Sequence, residues 1–296
     1  MDFFHTVPPE MRHQISRPLI DLGTAASRIG SALWESEPAP DSRASVILAG
    51  RSMSSTAFTD VSVALAAGSD HYHALARLIR LEEEFGPSIA ALTRSCIETL
   101  GRGWWLLDSA DAAQMEHRAA ATAVREQETA ARNDVASVRV FDDHARGEAV
   151  ADPLGEARTH LATVQVEGVT ETVPGYRALA VAIMVAAEID KPAAMYSHLS
   201  GVAHGESSTV GGLGSRRATV LADQVAAFSM GLPIRNARTY LFALTTVLDA
   251  FMSRLMALWG IRAHEERWEQ VRGRTFMKFD ELFTALERAP EPPLVP

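Results

Sequence analysis

The sequence predicts an all-α protein, an irregular multi-helix bundle of antiparallel helix pairs. Three observations carry this. Apolar residues recur at three- and four-residue spacing along most of the chain. Long stretches are rich in Ala, Leu, Glu and Arg, which lose little on entering a helix. Pro and Gly fall mainly between these stretches, where they punctuate helices.

The elements follow in order. Pro8 and Pro9 open a helix over 9–36, with Ile15, Leu19, Ile20, Leu22 and Ile29 at helical intervals. Residues 37–42, Glu-Pro-Ala-Pro-Asp-Ser, read as a loop. Residues 43–68 fit a second helix, and Ser69-Asp70 reads as the cap of a third over 71–84. Gly86-Pro87-Ser88 breaks the chain and opens 88–108, the clearest helix. An Ala-, Arg- and Glu-rich helix follows over 111–135. Residues 142–152 are polar, and alternation within 156–172 fits a short strand pair or an extended loop. Helices over 175–190 and 193–204 come next, then a Gly-rich flexible loop over 206–214. Two final helices are expected at 216–230 and 233–260, with a frayed Pro-rich tail from Ala289. No repeat of solenoid period is present. The chain reads as one helical domain over 1–296. Its candidate internal division lies near 142–174, between a helical half at 9–141 and another at 175–285.

Composition narrows the function. The chain has 296 residues, 47% of them hydrophobic and 22% charged, enough to fill a sizeable core. The net charge of −9 argues against nucleic acid or an anionic membrane as a partner. One cysteine, Cys96, excludes an intrachain disulfide and a thiolate zinc cluster. The N-terminus lacks the basic and apolar regions of a secretory signal, and no uninterrupted apolar run suits a transmembrane helix. The expectation is a cytoplasmic protein with no membrane partner.

The segment Met195-Tyr-Ser-His-Leu-Ser-Gly-Val-Ala-His-Gly205 is the most informative. Tyr196, Ser200 and His204 lie four apart, so a helix stacks them on one face, and Gly205 stops it just beyond. Arg94, Glu98 and Arg102 repeat that spacing on the 88–108 helix, which also carries Trp104 and Trp105. On an exposed face this would be a salt-bridge ladder; beside an apolar face it can line a polar pocket. The candidate assignment makes His204 and Glu98 the acid–base pair. Arg94 and Arg102 are then anion clamps, and Tyr196, Ser200 and Trp105 bind substrate. Arg118, Arg125 and Arg132 recur every seven residues as a solvated or inter-helix stripe.

Other chemistries lack their signatures. Glu82-Glu-Glu84 has no His at the spacing of di-iron bundles, and there is no His-Glu-x-x-His zinc motif. Gly211-Gly-Leu-Gly214, with Arg216 and Arg217 beside it, fits neither a P-loop nor a dinucleotide fingerprint. Asp142-Asp143 stands outside any longer acidic motif. No metal and no cofactor are expected.

The Tyr196-x-x-x-Ser200-x-x-x-His204-Gly205 stripe, with Arg94-Ser-x-x-Glu98 and Trp104-Trp105-Leu-Leu-Asp108, resembles a group of actinobacterial all-helical proteins that are distantly HEPN-like. The resemblance implies a helical bundle acting as a homodimer, with His204 standing in for the His of HEPN ribonucleases. The Arg that such enzymes carry ahead of the His, with four to six variable residues between, is missing, because positions 197 to 200 hold Ser, His, Leu and Ser.

Three functions follow as expectations. One is a small-molecule-binding protein or cofactor-independent enzyme with a polar pocket inside the bundle. The second is a HEPN-like ribonuclease or RNA-binding protein of a defence or toxin system. The third is a non-catalytic scaffold that dimerises through 233–260.

Overall fold

The computed structural model describes residues 6–50, 54–81, 85–133, 152–164, 171–221 and 224–288. Among the described residues eleven α-helices run in order: α1 (Pro9–Glu35), α2 (Arg43–Gly50), α3 (Ser54–Arg80), α4 (Gly86–Leu107), α5 (Ala112–Arg132), α6 (Pro153–Thr163), α7 (Tyr176–Ala186), α8 (Pro192–Ala203), α9 (Ser207–Val210), α10 (Ile234–Trp259) and α11 (Arg262–Arg288). A two-stranded antiparallel hairpin, β1 (Gly214–Leu221) and β2 (Gln224–Met230), sits between α9 and α10. The fold class is all-α.

Helix α4 is the axis. Its buried residues, from Ile89 through Cys96 and Leu100 to Leu107, wrap more than one face, so it must be covered on several sides. It packs against α3, α7, α8 and α10. Gly101 explains how close one neighbour comes: a Cβ there would stand 2.7 Å from the Leu179 carbonyl oxygen of α7. Helix α3 lies antiparallel to α4, with Cys96 Sγ donating to the Gly68 carbonyl. Helices α10 and α11 are antiparallel as well. Asp249 meets Trp268 and Arg272, while Arg238 further back meets Glu287. Trp34, Phe58 and Trp259 close one end of the core in edge-to-face contacts of 4.6–5.9 Å.

Helix α10 is long and apolar enough to cross a membrane by length and composition, yet 61% of its most apolar window is buried inside the bundle. Its buried residues run from Ala237 to Trp259 against α1, α2, α4, α7 and α11, the pattern of a core helix.

The structure corrects several elements. Ser69-Asp70 caps nothing: α3 runs through it, because Val61, Leu65, Tyr72 and Leu75 keep one helical face buried on either side. Residues 153–163 form a helix, with Asp152 accepting from the Gly155 N–H and Pro153 in the first turn, while residues 165–170 of the alternating stretch lie outside the described residues. The loop expected over 206–214 contains α9 and a 3₁₀ turn at Gly211–Leu213. The helix expected at 216–230 is the β-hairpin, whose Thr219, Val220 and Val225 favour strands. A helix that the periodicity reading left unassigned, α11, buries Trp268, Phe279 and Phe283 against the rest of the bundle. Glu82–Glu84, Asp142–Asp143, residues 142–151 and 165–170 of the candidate division, and the tail from Ala289 lie outside the described residues.

Candidate functional site

Helix α8 is set by its ends. Lys191 and Glu188 adopt positive φ in the tight turn after α7, and Pro192 starts the helix. His204 caps the other end, its N–H bonded to the Ser200 carbonyl, and Gly205 follows at φ +72°, as its position predicts. The face bearing Tyr196 packs on α4 opposite Arg94 and Glu98.

Four side chains meet there. Arg94 Nε donates to Glu98 Oε1 at 2.8 Å. The Tyr196 hydroxyl donates to the same oxygen at 2.6 Å. Arg94 Nη2 reaches the Tyr196 hydroxyl at 3.4 Å, and its guanidinium lies 5.6 Å from the tyrosine ring centre. Arg94 Nη1 approaches His204 Nε2 at 3.3 Å. Because Arg94 can only donate, Nε2 receives and the imidazole proton sits on Nδ1. Thus Arg94 is gripped firmly at Nε and loosely at its two outer nitrogens.

The electrostatics match. Burial works against the charge on Arg94, but the Glu98 and Tyr196 hydrogen bonds outweigh it and hold its pKa above the usual value. Burial, followed by the Glu98 contact, pushes the Tyr196 phenol up, so it stays a proton donor. Glu98 Oε2 has no hydrogen-bond partner among the described residues, and the Glu98 side chain is 18% exposed. His204 itself is exposed. The polar face therefore opens at the bundle edge and not into the interior, because α8 ends where His204 begins.

The other candidate residues are placed elsewhere. Ser200 lies half-buried on the same helix face, with its hydroxyl outside the network. Arg102 leaves the ladder: it pairs with Glu126 of α5 and faces Asp60, whose carboxyl burial pushes up. Eight residues separate Arg102 from Arg94, about 12 Å of helix. Arg102 and Trp105 line a separate cleft of about 160 Å³ with Arg125, Glu126 and Tyr176. Trp105 is covered there by Arg118, whose guanidinium lies 4.9 Å from the indole and donates to the Trp105 carbonyl.

Two arginines of the α5 stripe clamp the extended segment that precedes α7. Arg118 binds Glu171 through two nitrogens, and Arg125 donates to the Val173 and Pro174 carbonyls. The Arg118 hydrogen bond is the largest of the influences holding the Glu171 carboxyl below the usual range. Arg132, the third member, is exposed and among the described residues reaches only Thr129.

Compared with protein-family models, curated proteins and solved structures, the chain matches none.

Sequence reasoning missed one polar trio. His198 Nε2 stands 2.6 Å from the Tyr240 hydroxyl, to which Asn236 Nδ2 donates at 3.2 Å. The trio ties α8 to α10. Burial lowers the His198 pKa and raises that of Tyr240, so a neutral imidazole accepts from a neutral phenol. The i,i+4 pair Asn236–Tyr240 was the available signal, but Tyr240 also fits the apolar stripe of α10. Among the described residues no three His, Cys, Asp or Glu side chains gather as a metal site.

Proposed function

We propose that the Arg94–Glu98–Tyr196–His204 network is a small-molecule site. The chain is then a small-molecule-binding protein, or a cofactor-independent enzyme using acid–base chemistry on an anionic or hydroxylated substrate. The observation that carries this is the convergence of a half-held arginine, a half-free carboxylate and an exposed imidazole from two distant helices. In this reading a substrate oxygen takes the outer edge of Arg94 and displaces its long contact to His204. His204 Nε2 is then free to accept a proton. Glu98 Oε2 orients a substrate hydroxyl, and Tyr196 holds Glu98 in place.

The test is a thermal-shift screen of metabolites, nucleotides and metals against the wild type, His204→Ala and Arg94→Ala. A carboxylate or hydroxylated compound should raise the wild-type melting temperature and leave both variants unmoved. Equal shifts in all three proteins would remove the network as the site.

One observation favours a second reading, the HEPN-like ribonuclease. The arginine missing from the sequence before His204 is supplied through space by Arg94. This reading predicts RNA cleavage that His204→Ala abolishes; cleavage that persists undiminished in the variant ends it.

A further inference from the structure

A separate site forms where α1 and α11 lie side by side, brought together from opposite ends of the described chain. Each helix presents residues at i, i+4, i+7 and i+11, a spacing that keeps them on one face. On α1 these are Arg17, Asp21, Thr24 and Arg28; on α11 they are Arg267, Val271, Arg274 and Lys278. Both faces line one cleft of about 680 Å³. Its floor includes Thr275, which is buried and bonded to the Val271 and Pro18 carbonyls, so the base of the cleft is held between the two helices.

The charge balance of this cleft is the reverse of the whole protein's. Five cationic side chains line it against a single carboxylate, Asp21, in a chain of net charge −9. Lys278 has Glu281 at 3.2 Å. Arg17, Arg28, Arg267 and Arg274 make no ion pair or hydrogen bond among the described residues. Seven other arginines pair with carboxylates, namely Arg94, Arg102, Arg118, Arg158, Arg238, Arg254 and Arg272, while Arg125 and Arg132 bond carbonyl or hydroxyl oxygens. Four unpaired arginines facing one concavity repel one another, and a bound anion relieves that repulsion.

We propose that the α1–α11 cleft binds a small molecule carrying a polyphosphate group, with a nucleoside di- or triphosphate as the size-matched class. Guanidinium groups grip phosphate oxygens in pairs, which suits phosphate better than a single carboxylate. Eleven residues separate the outer cations on each helix, about 16 Å of rise, which is long for one phosphate and suited to a chain of them. The volume falls in the range of roughly 300–1,000 Å³ typical of ligand pockets, and concavity favours a compact ligand over a polymer. The surrounding acidity repels extended polyanions such as RNA or an anionic bilayer. Asp21, Thr24 and Gln14 offer hydrogen-bonding groups to a sugar or base. The proposal is independent of the Arg94 network.

Isothermal titration calorimetry on the full chain tests it, using inorganic phosphate, pyrophosphate, ADP, ATP, a single-stranded RNA oligonucleotide and phosphatidylserine vesicles. The proteins are the wild type, the Arg17→Ala/Arg274→Ala double variant, the Arg17→Lys/Arg274→Lys double variant and an Arg132→Ala control. All the substituted residues are exposed, so folding is retained and is checked by thermal melting. Pyrophosphate, ADP or ATP should bind wild type and control alike, at least about tenfold tighter than inorganic phosphate. The alanine pair should lose at least about tenfold, and the lysine pair should keep part of the affinity. The proposal is overturned if no polyphosphate binds at 150 mM salt, if the alanine pair binds as wild type does, or if only RNA or vesicles bind.

Discussion

The Tyr196 hydroxyl donates to Glu98 across 2.6 Å, joining α8 to α4 between residues 98 positions apart. Glu98 Oε1 accepts this bond and the Arg94 Nε–H together, so the contact both pins a helix and orients an arginine. Tyr196→Phe keeps the ring and removes the donor. Stability should fall by about 1–2 kcal/mol in urea unfolding. If Arg94 is the anion clamp, any ligand found by the thermal-shift screen should bind the variant more weakly.

Burial also predicts an alkaline limb. Cys96 is pushed up to about 12, and Tyr72, Tyr196 and Tyr240 are raised as well, each chiefly by desolvation. These groups keep their protons in the folded chain after the unfolded chain has released them. Stability is therefore whole below pH 9, where the unfolded thiol begins to titrate, and falls as pH rises through 12. A full proton of difference gives a slope of about 1.4 kcal/mol per pH unit, which the large shift of Cys96 approaches. Urea midpoints between pH 8 and about 10.5 read this slope, and Cys96→Ala should flatten its lower part.

The acid limb comes from His198. Burial lowers its pKa below the ordinary 6.5, so the unfolded chain takes up a proton that the folded chain refuses. Stability present above pH 6.5 is lost as pH drops through the folded value. His198→Asn should reduce the drop in urea midpoint between pH 7 and pH 5. An unchanged drop would show that other groups carry it.

Asp249 holds α11 onto α10. Its two oxygens accept from the buried Trp268 indole at 2.7 Å and from Arg272 at 2.9 Å. Asp249→Ala leaves the indole N–H without its partner and should cost about 1–3 kcal/mol in chemical denaturation. Asp249→Asn keeps an acceptor for the indole and should cost less.

Two glycines should fail for different reasons. At Gly101 a new Cβ meets the Leu179 carbonyl at 2.7 Å, so Gly101→Ala should cost about 1–3 kcal/mol by prising α7 from α4. At Gly205 a Cβ meets nothing, and only the φ of +72° is strained, so Gly205→Ala should cost about 1–2 kcal/mol. Gly205→Asn should recover part of that loss, since Asn tolerates this region, whereas Gly101→Asn should be worse than Ala.

The candidate site was legible in its parts. Four-residue spacing placed Tyr196 and His204 on one face and Arg94 and Glu98 on another, because helical geometry alone fixes such neighbours. The same spacing misled at Arg102 and Ser200. Sharing a face does not decide which neighbouring helix covers each turn, and α5 rather than α8 covers Arg102. The hairpin over 214–230 escaped because Ala-rich composition outweighed its β-branched residues. The cleft between α1 and α11 escaped because its second wall was not assigned to a helix.

By itself the sequence determined the all-α class, most helix positions, the stop at Gly205 and the acidic surface, since local propensity, periodicity and composition set these. Tertiary structure alone decided that Arg94 would stand beside His204, 110 positions away, and that unpaired arginines from α1 and α11 would face one cleft. Spacing sets which residues share a helix face, but the packing of buried faces in three dimensions chooses which two faces meet.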